Sequence, residues 1–441
     1  MKKPRVLFAG LSYGTCYPFA GMLPLTESMP RSVATGISNF EDNFALTGNK
    51  GNMAIAEAVG RIFDVDRGLS CYLDLPRLRA LGWDVERVCA AIHQQFDMVV
   101  LVMTNALRPE FDLADWADIV AVLDTDLVVL GLGMQRPLPP RLDALPAGSQ
   151  RFLETIKQKA LLFGVRGHET ANWLHSVGID NAQVLGCPSL YLYPDNFLAI
   201  KPPTLSAAPR AITAGYLHSR APRSRILCSL FRDQHSHYVM QGELLMLAQN
   251  YDGGEQLYDD ATGKVNAVGC RKFFHGFLGV SPPFAGYWYF QDMGAWRVFC
   301  AQGDYYLGDR LHGGIVAMQA GIPAIILWDD LRVREIAELC AIPNRQITSI
   351  TTERADDLIA SLLTAAAAER FRETYRLRLA HFDEATKQCG LRRDHGAPAQ
   401  PVPSPRSGKY ASVRGILSRL RRGPLGHLLG KLHRASGQRE G

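Results

Sequence analysis

Few of the features that identify a function from sequence at once occur in this chain. Its nine cysteines, at positions 16, 71, 89, 187, 228, 270, 300, 340 and 389, are odd in number, scattered and never spaced C-x-x-C. That argues against a disulfide framework or a thiolate zinc site and for a reducing, cytoplasmic setting. Neither a Walker A sequence nor a GxGxxG fingerprint is present. The longest apolar region, Ile119 to Met134, holds Asp124 and Asp126, so it does not read as a membrane span. The opening MKKPRVLFAGLSYG carries leader-like charge, but its apolar run is short and ends in Gly-Leu-Ser-Tyr-Gly. It reads as a first strand and turn.

Charge of one sign is also scarce, except at one end. The net charge is +5, yet the residues from Gly396 onward hold nine of the 48 Lys and Arg and only one of the 43 acids. The preceding 395 residues are slightly acidic, 39 basic against 42 acidic. Nucleic acid is therefore not an expected partner of the body of the protein. The tail is Pro/Ser-rich and then basic with leucines. It reads as disordered, with peripheral contact to an anionic membrane face as the alternative.

An apolar content of 47% against 21% charged residues describes a globular chain with ample core, and 441 residues exceed one ordinary domain. We expect an α/β domain over 1–205, a second over 206–390 and a basic tail over 391–441. The Pro/Ser/Ala stretch from Lys201 to Pro209 serves as the linker. In the first domain, VERVCAAIHQQF and RFLETIKQKALLF read as helices and DMVVLVMT and LVVLGLGMQ as strands. His168-Glu169-Thr170 then leads into a helix closed by Gly178. In the second, RILCSLFR reads as a strand and SHYVMQGELLMLAQN as a helix. Alternation of this kind means a doubly wound parallel sheet in each domain. The aromatic-rich region from Asn266 to Trp296 suits core packing or, alternatively, a sugar-stacking platform.

Two stretches carry candidate chemistry. Gly48-Asn49-Lys50-Gly51-Asn52 reads as a loop before the amphipathic helix MAIAEAVGRIF. Backbone N–H groups there suit a phosphate or a sugar, or the segment is simply a tight turn. The second stretch is GDRLHGGIVAMQAGIPAIILWDDLRVRE, from Gly308 to Glu335. It reads as the end of a strand, a short helix stopped by Gly321 and Pro323, the buried strand AIILW and a charged turn with Arg332 and Arg334. Arg310 and His312 fall where open α/β sheets bind ligands. On extended backbone they would face the same way and suit an anionic substrate that needs proton transfer. The bland alternative is a surface arginine and a helix-capping histidine.

Four blocks, in order, resemble the polysaccharide pyruvyl transferase family: LTGNKGNMAIAEA, VVLGLGMQ, GVRGHETANWLHSVGIDNAQVLGCPSLYLYP and GDRLHGGIVAMQAGIPAIILWDDLRVREIAE. Together they cover most of Leu46 to Pro343. The resemblance implies two Rossmann-like domains in a GT-B-like pair with the site in the cleft between them. It implies transfer of a pyruvyl group from phosphoenolpyruvate to a sugar of a polysaccharide or its precursor, giving a pyruvate ketal, with no cofactor and no metal required. The family's Arg-x-His falls on Arg310 and His312 and its Val-Arg block on Arg166. Arg166 and Arg310 would then clamp carboxylate and phosphate, with His312 as general acid or charge stabiliser. Glu169, Asp329 and Glu335 are candidate bases or acceptor contacts that nothing ranks. A lipid-linked oligosaccharide acceptor would give the basic tail a purpose. Two rivals remain: a GT-B-like glycosyltransferase using a nucleotide sugar, and a non-catalytic carbohydrate-binding protein.

Overall fold

The structure is a computed structural model that describes residues 2–10, 49–73, 75, 84–205, 208–231, 235–251, 256–259, 262–290 and 292–396. Gly48 and the basic tail lie outside these residues. Six strands build the first sheet: β1 (Val6–Gly10), β2 (Cys71–Leu73), β3 (Met98–Val102), β4 (Asp126–Leu132), β5 (Ala160–Val165) and β6 (Ala182–Val184), in the order β2-β1-β3-β4-β5-β6. All of its pairings are parallel. The second sheet holds β7 (Ala211–Thr213), β8 (Ser236–Val239), β9 (Lys264–Val265), β10 (Gly286–Trp288), β11 (Tyr305–Gly308), β12 (Ala324–Trp328) and β13 (Asn344–Gln346). Its order is β13-β12-β11-β7-β8-β10-β9, with only β9 antiparallel to its neighbour. In each sheet the order reverses beside the first strand, between β1 and β3 and between β7 and β11. Ligands of open α/β sheets bind at such switch points.

Both faces of both sheets are covered, and the period of two in the strands decides which side chain goes where. Val6 and Phe8 enter one core while Leu7 and Ala9 enter another. Tyr306 and Ile326 join the first of these cores, whereas Tyr305, Leu307, Ile325 and Leu327 form a third on the far side of the second sheet. The first core is therefore shared by the two halves. Residues of the helix Lys50–Ile62 (Met53, Ala54, Ile55) and of the helix Leu311–Gln319 (Ile315, Val316, Met318) meet within it. The architecture is the GT-B-like pair of Rossmann-like units expected from the resemblance.

A buried ion pair crosses the same interface. Arg297 donates from both terminal nitrogens to the two oxygens of Glu57, at 2.6 Å each, and neither side chain is more than 3% exposed. The long helix Ala365–Gln388 also returns to the first half. Its Tyr375 hydroxyl donates to the Leu190 carbonyl at 2.7 Å, and Phe382 stacks on Tyr191 at 4.2 Å between centroids. Among the described residues, no helix is long and apolar enough to cross a membrane.

Several local expectations change. Of the expected strand RILCSLFR, the residues 225–230 belong to the helix Pro222–Leu230. Pro222 pre-sets its first turn, and Leu227 and Leu230 with the adjoining Phe231 supply a helical apolar face. SHYVMQGELLMLAQN is not one helix: Ser236–Val239 is β8, and after Gly242 only Leu244–Gln249 is helical. The helix expected through ALLF stops at Lys159, where β5 begins. A short apolar run suits strand and helix alike until its neighbours are known. The aromatic region resolves to core, with Phe274, Phe284, Tyr287 and Tyr289 no more than 1% exposed.

Candidate active site

The site is built where β11 meets the helix Leu311–Gln319. This helix lies tightly on the sheet, because a Cβ at Gly313 would come 2.7 Å from the Tyr306 hydroxyl and one at Gly314 would run into Ile326. Arg310 is the residue before its first turn and His312 is already inside it. The two are therefore not on one extended strand, and their side chains diverge instead of facing the same way. Arg310 turns to the second half. Its Nε donates to the Gly215 carbonyl at 3.0 Å and an Nη to Glu243 at 3.1 Å, while its Cζ lies 3.4 Å from the centre of the Tyr216 ring. Glu243 is buried and also takes the backbone N–H groups of Gln241 and Gly242, at 2.7 and 2.9 Å. Although burial opposes it, Arg310, then the adjacent His218 and the Gly242 N–H hold Glu243 well below the usual carboxylate range.

His312 turns to the first half. A Cβ on Gly51 would lie 2.9 Å from its Nδ1 and 3.0 Å from its Cβ, so the imidazole packs on bare backbone. The other ring nitrogen, Nε2, is 3.5 Å from the Cys187 thiol, which in turn meets the Ser189 hydroxyl at 3.0 Å. Burial and then the charges of Arg166 and Arg332 push the imidazole pKa well down, so the ring is neutral at neutral pH. Within the expected loop, residues 50–52 already begin the helix Lys50–Ile62, with Asn49 capping it by accepting from Gly51 N–H at 3.0 Å.

Arg166 follows β5 and is 1% exposed. Gly131, at φ +77°, turns its carbonyl to accept from Arg166 Nε at 2.8 Å. Gly133 then lets the arginine stem pass where a Cβ would be 2.9 Å from its Cδ. The Gly-x-Gly turn after β4 is thus the seat of this guanidinium. One terminal nitrogen, Nη2, is buried and has no hydrogen-bond partner. Burial chiefly, with Arg332 nearby, lowers the pKa of Arg166. A buried cation with an unused donor is matched to an anion.

Beside these groups, at the carboxyl ends of both sheets, lies a cleft of about 790 Å³. Its second-half wall carries Tyr216, Arg223, Asp329, Asp330 and Arg332. Arg332 donates to Asp330 at 3.0 Å and to the Tyr216 hydroxyl at 3.4 Å. The first-half wall is rich in amides and carboxylates, with Asn49, Asn52, Asn105, Gln135, Asp112 and Asp115, and adds Arg108, Phe111 and Trp116. Gln135 Oε1 accepts from Asn105 and Arg108, at 3.1 and 2.9 Å.

Arg166, His312 and Arg310 lie behind the cleft walls and do not line it, and neither do Glu335 and Glu169. Glu335 reaches across from the helix Leu331–Leu339 and accepts from Thr170 N–H at 2.7 Å and from its hydroxyl at 2.9 Å. It thereby caps the helix His168–Ser176, which starts at Gly167 without a side-chain cap of its own. Burial, more than anything else, raises its pKa. Glu169 is ion-paired with Arg334. The fold thus brings Arg166, His312, Gly51 and Arg332 together, sets Asn49, Asn52 and Asp329 on the cleft walls, and commits Arg310, Glu169 and Glu335 to links within or between the halves. Sequence reasoning passed over Tyr216 and Cys187 and placed Arg332 only in a charged turn. The position of Arg332 just past a buried strand was a usable signal, whereas Tyr216 follows a three-residue strand that had not been recognised. Among the described residues, no cluster of His, Cys, Asp or Glu is placed to hold a metal ion.

Solved structures with a loosely similar course include UDP-GlcNAc 2-epimerase from Neisseria meningitidis bound to UDP-GlcNAc (12% identity, TM-score 0.38, 88% of this chain and 98% of that chain). Another is an alpha,alpha-trehalose-phosphate synthase (UDP-forming) from Burkholderia xenovorans in complex with glucose-6-phosphate (10% identity, TM-score 0.43, 88% and 98%). No curated protein matches the chain. The sequence model described as polysaccharide pyruvyl transferase matches residues 49–330, from the cap of the Lys50–Ile62 helix to the Asp329-Asp330 wall of the cleft. On that match, which spans well over half of its length, the chain belongs to the polysaccharide pyruvyl transferase family.

Proposed function

We propose that the protein transfers the pyruvyl group of phosphoenolpyruvate to two hydroxyls of a sugar, forming a pyruvate ketal. The observation that carries this reading is the buried Arg166 guanidinium, with its unpartnered Nη2, beside Arg332 and the neutral His312. A small donor with both carboxylate and phosphate suits two guanidiniums in one place, because each oxyanion takes paired N–H donors. Burial and then the arginines keep His312 neutral, and the donor's negative charge offsets the arginine part, which favours proton uptake by the imidazole as the donor binds. It then delivers that proton to the methylene carbon, which makes C2 electrophilic. Arg310 acts indirectly, by holding Tyr216 against the cleft. The amide and carboxylate wall of the first half supplies donors and acceptors for acceptor hydroxyls, and Phe111 an apolar face for a sugar ring.

The test is calorimetric titration of the wild type and Arg166→Ala with phosphoenolpyruvate in two buffers of different ionisation enthalpy, with a nucleotide sugar as control. Binding with net proton uptake, lost in Arg166→Ala, is expected. Binding of the nucleotide sugar alone would transfer the case to a glycosyltransferase.

A further inference from the structure

Ketal formation needs a group to take the proton from the attacking hydroxyl, and the titratable acids on the cleft walls are Asp112, Asp115, Asp329, Asp330 and Tyr216. Asp329 lies 3.6 Å from Arg223. Asp330 gives one oxygen to Arg332 at 3.0 Å and the other to the Val333 N–H at 3.0 Å. Both carboxylates are thus already engaged by a guanidinium, and Asp330 by a backbone N–H as well. Asp309 is pushed up to about 7 by burial, but it is 3% exposed and does not line the cleft.

We infer that Tyr216 is the catalytic base of the transfer, its phenolate oxygen taking the proton of the first acceptor hydroxyl. The inference rests on the pyruvyl-transfer reading above. Tyr216 lines the cleft on the same wall as Arg223 and Arg332, across from the acceptor wall. Two guanidiniums lie over its ring, that of Arg310 at 3.4 Å and that of Arg223 at 4.0 Å from the centroid. A third, Arg332, donates to its hydroxyl at 3.4 Å. A phenolate is the anion that such a cage of cations stabilises. Burial pushes the phenol up, but Arg310 and Arg332 outweigh it and leave Tyr216 below its ordinary value, with Asp309 pulling weakly the other way. His218 is a further titratable neighbour, its ring 5.9 Å from that of Tyr216.

The proton balance closes. In the first step the acceptor O–H bond breaks, its proton goes to Tyr216, and the acceptor oxygen bonds to C2 of the donor. The C2–C3 π pair takes a proton from His312, so the methylene becomes a methyl group. In the second step the C2–phosphate bond breaks with its electron pair on phosphate. The second hydroxyl then bonds to C2, and its proton leaves on the phosphate. Exchange with solvent resets Tyr216 and His312.

The experiment has two arms on the full chain. In the first, tyrosinate absorbance is followed from pH 7 to 11 for wild type and Tyr216→Phe. A wild-type component that ionises below the ordinary value of about 10 and is missing from the variant is expected. A difference spectrum without that early component overturns the assignment, whether or not phosphoenolpyruvate binds. In the second, phosphate release from phosphoenolpyruvate is measured with methyl glycosides that carry 1,2- or 1,3-diols. Tyr216→Phe should still bind the donor and lose at least ~100-fold in turnover. A fluorinated tyrosine at 216 should move the limb of the rate–pH profile to lower pH, which a merely structural ring would not do. Turnover by Tyr216→Phe at the wild-type rate overturns the base. Failure of the wild type to bind phosphoenolpyruvate sinks only the pyruvyl-transfer reading, since the absorbance arm needs no donor.

Discussion

Replacing Arg297 by methionine should do more damage than any surface change, because its partner cannot follow it out of the interior. Glu57 sits in the helix that presents Gly51 to His312, and Arg297 belongs to the opposite half, so the pair holds the cleft walls in register. Both bonds are 2.6 Å, and Arg297 also donates to Gln319 at 3.2 Å. Removing one member of a buried pair strands the other charge, at a cost of about 3–5 kcal/mol. Arg61 lies 3.5 Å from the same Glu57 oxygen and relieves part of that cost, which places Arg297→Met at the lower end. Glu57→Gln leaves a buried guanidinium with only neutral amide oxygens as acceptors and belongs at the upper end. The double variant Arg297→Met/Glu57→Leu strands neither charge and should cost less than either single change. Urea unfolding followed by tryptophan fluorescence measures all four corners of the cycle. Additive costs, with a coupling below about 0.5 kcal/mol, would refute the claim that this ion pair holds the interface.

Gly51→Ala should disable turnover by at least ~10-fold, since the new Cβ would displace His312 from the site and misplacement near 1 Å is costly. Unchanged kcat in that variant would remove His312 from the mechanism. Asp309→Asn should stabilise the protein at pH 8 and do little at pH 4. The Asp309 pKa is raised from 3.8 to about 7, so its favourable contribution is complete below 3.8 and is lost as the pH rises through 7. Each unit of such a shift is worth about 1.4 kcal/mol, and equal midpoint changes at both pH values would contradict the buried-charge account.

Local patterns carried much of the fold. Alternation in the strands sends Val6 and Phe8 to one core and Leu7 and Ala9 to another, a result of backbone geometry that needs no distant partner. The run from β11 through the helix Leu311–Gln319 to β12 was legible for the same reason, as strand, helix and buried strand follow one another within a few residues. Short apolar runs such as RILCSLFR were not, because strand and helix bury them equally well and the neighbours decide.

The candidate site divides along the same line. Residue order alone put Arg166, Arg310 and His312 at strand ends, where α/β sheets gather their ligands. The direction each side chain takes was decided by tertiary structure. The start of a helix at Leu311 turns Arg310 and His312 apart, and Glu243, 67 residues earlier, claims Arg310. Thr170 claims Glu335 from 165 residues away, and Glu57 meets Arg297 across 240. Such pairs leave no trace in local spacing, since a charge exchanges its water only for the partner that folding delivers. Sequence by itself determined the elements and the ends at which chemistry collects, while tertiary contact decided which cations face the cleft and which are bound to the frame.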